Sequence, residues 1–149
     1  MKYVPPPLQA LIWAGIAWLL VGAFPGQRLE LAFGPALVGV LLILGVALDV
    51  VALSAFFKRK TSINPINLAG TEQLVTDGPY RYSRNPMYLG MLCYLLALTY
   101  WLDNPLAAIA PLGFIMVMNR TQIAREEALL AEKFGAAYQR YCEQVRRWI

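Results

Sequence analysis

Gly78-Pro79-Tyr80-Arg81-Tyr82-Ser83-Arg84-Asn85-Pro86-Met87-Tyr88-Leu89-Gly90 joins a polar loop to an apolar helix, and both ends of the chain can be read outward from it. Gly78-Pro79 makes a turn. Asn85-Pro86 opens a helix with proline at its first position, where the missing amide removes nothing the helix needs and φ is already helical. The apolar run that follows, 87–102, is closed by Asp103-Asn104-Pro105, a tight turn whose proline holds Asn104 out of the α region. A further apolar run, 105–122, starts at once, so the two helices are expected to form an antiparallel hairpin.

Toward the N-terminus lie two more apolar runs, 8–24 and 35–57. The first follows Val4-Pro5-Pro6-Pro7 and stops at Pro25-Gly26. Lys2 before an apolar stretch has the outline of a signal peptide, but no small-x-small cleavage site precedes Pro25 and more apolar segments follow. A retained span is therefore expected. The second run carries one charge, Asp49, and ends at Lys58-Arg59-Lys60.

Composition agrees with lipid as the main solvent. Of 149 residues, 58% are apolar and 15% charged, against roughly 25% charged in soluble domains. The expected fold is all-α, a single domain over 1–149. It is an integral membrane bundle of four transmembrane helices at about 8–24, 35–57, 87–102 and 105–122, with a loop over 58–86. From 123 to 149 the pattern is amphipathic, with Ile123, Leu130, Phe134, Tyr138, Tyr141, Val145 and Trp148 at helical spacing. That predicts a C-terminal amphipathic helix lying at the interface.

Four spans put both termini and the 58–86 loop on one side, together with Lys2, Lys58, Arg59, Lys60, Arg81, Arg84 and the basic residues from Arg120 to Arg147. Only Arg28 falls on the other side. By the positive-inside rule both termini are cytoplasmic, in the inner membrane if the cell is bacterial. The net charge of +4 is then a matter of topology and anionic headgroups, and no nucleic-acid site is needed.

The chain has no histidine, which excludes His general bases, Ser-His and Cys-His nucleophiles and His-ligated metals. Cys93 and Cys142 match no metal spacing, and Cys93, within the third helix, suits packing better than nucleophilic attack. Polar complexity gathers in the loop at 71–88 and the junction at 119–127. Tyr80, Tyr82 and Tyr88 offer flat faces for a purine or a cation, and the start of the third helix attracts an anion. The plain alternative is an aromatic and arginine belt at the headgroups. Glu126 and Glu127, adjacent on a helix, point about 100° apart, so only one can face a common site. The plain alternative there is a charged helix surface with pairs such as Glu143 and Arg147. Asp49 is expected to line the pocket or to bond Asn119 or a tyrosine.

Two stretches together carry a resemblance. Residues 78–90 resemble the G-x-Y-x-x-x-R-H-P-x-Y-x-G signature of the isoprenylcysteine carboxyl methyltransferases. Glu126-Glu127-Ala128-Leu129-Leu130-Ala131-Glu132-Lys133-Phe134-Gly135-Ala136-Ala137-Tyr138-Gln139-Arg140-Tyr141 resembles that family's E-E-x-x-L-x-x-x-F-G-x-x-Y-x-x-Y tail. Phospholipid methyltransferases and some membrane sterol reductases are similar in this region. The resemblance implies a membrane methyltransferase that uses S-adenosylmethionine without a Rossmann domain and acts on a lipophilic small-molecule or lipid acceptor. It implies cofactor contacts at Leu74, Val75, Tyr80, Arg84, Asn85, Pro86, Tyr88 and Glu126, with Arg84 and Tyr88 orienting the reactants.

Two departures matter. Asn85 stands where the motif has histidine and cannot titrate. Gln122 stands where the prenylcysteine enzymes have a substrate-binding arginine, which argues against a prenylcysteine carboxylate at this substrate position. Gln122 and Glu127 are the expected substrate positions, and an amine or phenol acceptor needing a base would have to use Glu127, Asp49 or Tyr82. The alternatives are a nicotinamide-dependent reductase of the sterol-reductase type and a non-catalytic helical membrane subunit.

Overall fold

A computed structural model describes residues 4–26, 30, 34–58 and 74–149. The helices are α1 (Pro6–Ala23), α2 (Gly34–Lys58), α3 (Pro86–Leu102), α4 (Ile109–Arg120), α5 (Gln122–Phe134) and α6 (Ala136–Gln144). Short 3-10 turns occupy Gly78–Arg81 and Pro105–Ala108, and no strand occurs among the described residues. Lys2, Arg28, Arg59, Lys60 and the remainder of the predicted loop up to residue 73 lie outside the described residues.

Among the described residues, three helical stretches are long and apolar enough to cross a membrane: Pro6–Ala23, Gly34–Ala55 and Pro105–Phe134. The third predicted span, α3, is an apolar helix of 17 residues. α1 and α2 are apolar over most of their circumference, and Leu11, Leu19, Ile43 and Val50 are exposed on them, as lipid-facing helices require. α3 packs along α2, and α1 lies against both α3 and α4. The α2–α3 crossing is close because Gly90 has no side chain. A Cβ there would collide with the Asp49 carboxylate and come within 3.1 Å of the Gly45 carbonyl. The glycine that ends the loop motif is thus a helix-crossing residue.

The hairpin turn forms as its sequence predicts. Asp103 adopts φ 47°, and Asn104 is extended at φ −140°, ψ 132°. Asn104 Oδ1 accepts from the Leu106 amide at 2.9 Å, while its Nδ2 donates to the Phe24 carbonyl at 3.2 Å. One buried side chain therefore closes the hairpin and fastens the end of α1 to it.

Two expectations need correction. The fourth predicted helix, 105–122, begins as a 3-10 turn, and the helix itself breaks at Thr121 (φ −115°, ψ −77°) between α4 and α5. The single C-terminal helix expected over 123–149 is two helices and an extended end. Gly135 separates α5 from α6 at φ 49°, a conformation that strains any residue with a Cβ. The chain leaves α6 at Val145 (φ −126°, ψ 128°). The break lets Tyr138, Tyr141 and Val145 bury together against Leu74, Leu130 and Phe134. Because Arg147 lies past the helix, it pairs with Glu127 and not with Glu143.

Candidate functional site

The loop and the tail, more than 50 residues apart in sequence, are joined by hydrogen bonds, three of them to backbone carbonyls. The Arg84 amide donates to the Arg146 carbonyl at 3.0 Å, and Asn85 Nδ2 donates to the Arg147 carbonyl at 2.9 Å. Tyr141 Oη donates to the Tyr80 carbonyl at 2.7 Å. Burial pushes the Tyr80 and Tyr141 phenols well above their ordinary range, so Tyr141 keeps its proton as a donor in alkaline solution. Asn85 occupies the helix start as expected, preceding Pro86, and the Leu89 amide bonds its carbonyl at 3.0 Å. Its side chain works as a fastener for the extended C-terminal end, a role that needs an N–H and no titration.

On α5 the two adjacent carboxylates diverge as helix geometry requires. Glu126 turns toward α3, where Tyr88 Oη donates to its Oε1 at 2.6 Å. Gln122, one turn earlier on α5 and 4% exposed, donates Nε2 to the same oxygen. No bond from a described residue reaches Oε2. Glu127 turns toward the tail. Arg147 grips it with Nε on Oε1 at 3.0 Å and Nη2 on Oε2 at 2.6 Å, and Arg84 Nη2 adds 3.2 Å to Oε1. This is the bidentate arrangement that makes arginine–carboxylate pairs strong, and Glu127 in turn raises the Arg147 guanidinium above its usual value. A second Arg84 nitrogen donates to the Cys142 sulfur.

The other predicted positions lie in the packing around the loop and the tail. Val75 and Tyr80 are buried with Ala52 and Ala55 of α2, and Met87 packs on them. Leu74 packs on the tail aromatics, and Pro86 is fully buried at the start of α3. Tyr82 is 77% exposed and apart from the cluster. Asp49 takes the structural option: Tyr94 Oη donates to its Oδ2 at 2.8 Å. Cys93 is buried, as a packing residue should be.

Nothing in the sequence brings Asn119, Arg147 and Trp148 together. Trp148 Nε1 donates to Asn119 Oδ1 at 3.1 Å and Arg147 Nη1 reaches the same oxygen at 3.5 Å, so α4 anchors the end of the chain. Partners 20 to 29 residues apart leave no periodic mark in a sequence.

The Tyr88–Gln122–Glu126 cluster suits a ligand that brings hydroxyl or ammonium donors. One carboxylate oxygen is held by neutral groups, with Arg125 acting on its charge without bonding it, and the other oxygen can accept. The positive end of the α3 dipole, beside Asn85 and Pro86, complements a carboxylate on the same ligand. An amino-acid end together with a ribose diol meets both requirements, so the residues present fit S-adenosylmethionine. No group of three or more Cys, Asp or Glu among the described residues could hold a metal ion.

Comparison with known proteins gives a consistent result. The family model for phospholipid methyltransferase matches residues 34–137. An uncharacterized protein of Haemophilus influenzae is 54% identical over 63 residues, 42% of this chain and 100% of that protein. Protein-S-isoprenylcysteine O-methyltransferase A of Arabidopsis thaliana is 30% identical over 106 residues, 71% of this chain and 54% of that protein. Protein-S-isoprenylcysteine O-methyltransferase of Schizosaccharomyces pombe is 36% identical over 75 residues, 48% of this chain and 30% of that protein. The chain thus spans about half, or less, of the length of these named relatives. No solved structure matches it.

Proposed function

The chain belongs to the phospholipid methyltransferase family, and from that premise we propose that it is a methyltransferase using S-adenosylmethionine at the cytoplasmic membrane face. Its acceptor is a lipophilic small molecule or a lipid. The observation that carries this reading is the Tyr88–Gln122–Glu126 cluster, which joins the two motif segments at one carboxylate oxygen. In the membrane α1, α2, α3 and the α4 stretch form four spans, with both termini cytoplasmic. At 17 residues α3 is about 26 Å long, close to the ~30 Å hydrocarbon core. Arg81, Arg84, Arg120, Arg125, Arg146 and Arg147 then share the cytoplasmic side.

The bound donor supplies a methyl group activated on a sulfonium. The chain's own contribution is placement. Glu126 accepts from the diol or ammonium, and Tyr88 and Gln122 fix the rotamer in which it can do so. Leu74, Val75, Tyr80 and Pro86 exclude water from the pocket wall. Asn85 and Arg84 hold the tail closed over the site, and Glu127, engaged by two arginines, positions that tail and is not available as a base. Alignment and a dry pocket of this kind lower a barrier by about 7–11 kcal/mol. A carboxylate or thiolate acceptor needs no proton removed, which suits a site without histidine and with Asn85 in the motif position. Neither the reductase nor the non-catalytic alternative draws support from the family match.

Incubation of the purified protein with methyl-labelled donor and a total lipid extract tests the reading. The expected result is a labelled, organic-soluble product that disappears with Glu126→Gln. A protein that binds the donor yet labels nothing lipophilic would refute the acceptor class.

A further inference from the structure

The helical run that carries Glu126 is broken just ahead of it. At Thr121 the backbone turns to φ −115°, ψ −77°, and Thr121 Oγ1 donates back to the Val117 carbonyl at 2.7 Å. A side-chain bond of that kind bends helices. Gln122, Ile123 and Glu126 all lie beyond the break. A bend leaves the direction of α5 open unless both sides of it are held. The bond from Tyr88 to Glu126, 2.6 Å long, tolerates little drift in that direction.

Trp148 meets both sides. Its Nε1 donates at 3.1 Å to Oδ1 of Asn119, in the last turn of α4. Its indole packs on a buried cluster that includes Met118 before the break, Ile123 after it and Tyr88 from α3. Met118 and Ile123 are fully buried, so neither has room to shift independently of its neighbours. Arg147 also reaches Asn119, but at 3.5 Å, and its closer bonds go to Glu127. The tie through Trp148 therefore does not depend on Glu127.

We infer that Trp148 is a positioning residue of the donor site, setting through Asn119 and the buried cluster the bend at which Glu126 meets Tyr88. The indole N–H fixes the end of α4 and the ring braces the start of α5, so the last turn of one helix and the first turn of the next move as one body. Trp148 acts through Tyr88 and Glu126. The worth of that alignment for donor affinity rests on the methyltransferase reading, whereas the alignment itself does not.

Chemical unfolding of the full chain carrying Tyr88→Phe, Glu126→Gln or both measures the coupling of that pair with no methyl donor present. The coupling is expected to be about fivefold in the unfolding constant. Adding Trp148→Phe, which keeps a ring and removes the N–H, should reduce it to less than about twofold. Asn119→Leu should do the same with the indole in place, and Asn119→Asp, which keeps an acceptor, should restore it. Asn119→Leu carries the measurement where Trp148→Phe does not fold. Calorimetric titration of S-adenosylmethionine then supplies the second readout. Trp148→Phe is expected to weaken binding about three- to fivefold, with little further loss in a chain that already has Tyr88→Phe. A residue serving stability alone would lower the unfolding temperature and leave both the coupling and the donor affinity unchanged, which overturns the inference. Absence of coupling in the unsubstituted background overturns it too, as does a Trp148→Phe effect on donor affinity that adds in full to that of Tyr88→Phe. A chain whose coupling responds to Trp148 but which binds no donor defeats the methyltransferase reading alone.

Discussion

Around Glu126 the partners are neutral, Tyr88 and Gln122, and both bond a single oxygen; around Glu127 they are cationic, Arg84 and Arg147, and both oxygens are taken. One residue of helix separates the two carboxylates. A carboxylate whose charge is matched by two guanidiniums is satisfied within the protein and holds structure together. One hydrogen-bonded only by neutral donors forms no ion pair and keeps an open oxygen, which a ligand can use. The kind of partner, more than burial, separates the proposed binding residue from the fastening residue.

Four substitutions would break or sharpen that contrast, in falling order of effect. Glu126→Gln removes the charge while keeping the shape, and is expected to weaken S-adenosylmethionine binding about 10–100-fold, the worth of a charge-assisted hydrogen bond. Thermal unfolding of the same protein should shift little. Glu127→Ala should do the reverse. It leaves Arg84 and Arg147 facing each other without their shared partner, lowering stability by about 1–2 kcal/mol with donor affinity changed by less than about threefold. Chemical unfolding read beside a binding titration checks both halves. Tyr88→Phe removes one of the two donors to Glu126 Oε1, at a cost of about fivefold in donor affinity. Asn85→Ala removes the bond to the Arg147 carbonyl and should cost about 0.5–1.5 kcal/mol. Limited proteolysis would show it as faster cleavage after Arg146 or Arg147. If Glu126→Gln and Glu127→Ala behaved alike, the contrast between the two carboxylates would be lost.

The helical architecture was legible because its signals are local. Apolar runs, Pro25-Gly26, the Asn85-Pro86 start and the Asp103-Asn104-Pro105 turn each fix a boundary through the conformations their own residues permit. The break in the tail is not legible, for a related reason. Hydrophobic spacing of three and four continues unbroken through Gly135, and spacing alone does not reveal that this glycine takes a positive φ. Val145 and Trp148 still fall on the helical pattern although the chain beyond α6 is extended, because a buried extended end selects the same apolar residues.

At the site, the divergence of Glu126 from Glu127 followed from helix geometry, but the choice between them did not. It depends on Tyr88, 38 residues away, and on Arg147, 20 residues away, which only the folded arrangement brings to α5. Asn85 shows the same limit. Its sequence position implies a cofactor contact, and the fold adds a bond from its side chain to the Arg147 carbonyl that no spacing reveals.

The central claim is that Glu126, and not its neighbour, forms part of a methyl-donor site. Calorimetric titration of S-adenosylmethionine into the detergent-purified chain tests it most directly, with Glu126→Gln and Glu127→Gln measured in parallel. The account predicts saturable binding of one donor per chain, abolished or weakened by at least about tenfold in Glu126→Gln and retained in Glu127→Gln. Folded protein that takes up no donor at millimolar concentration, or equal binding by Glu126→Gln and the unsubstituted chain, would contradict it.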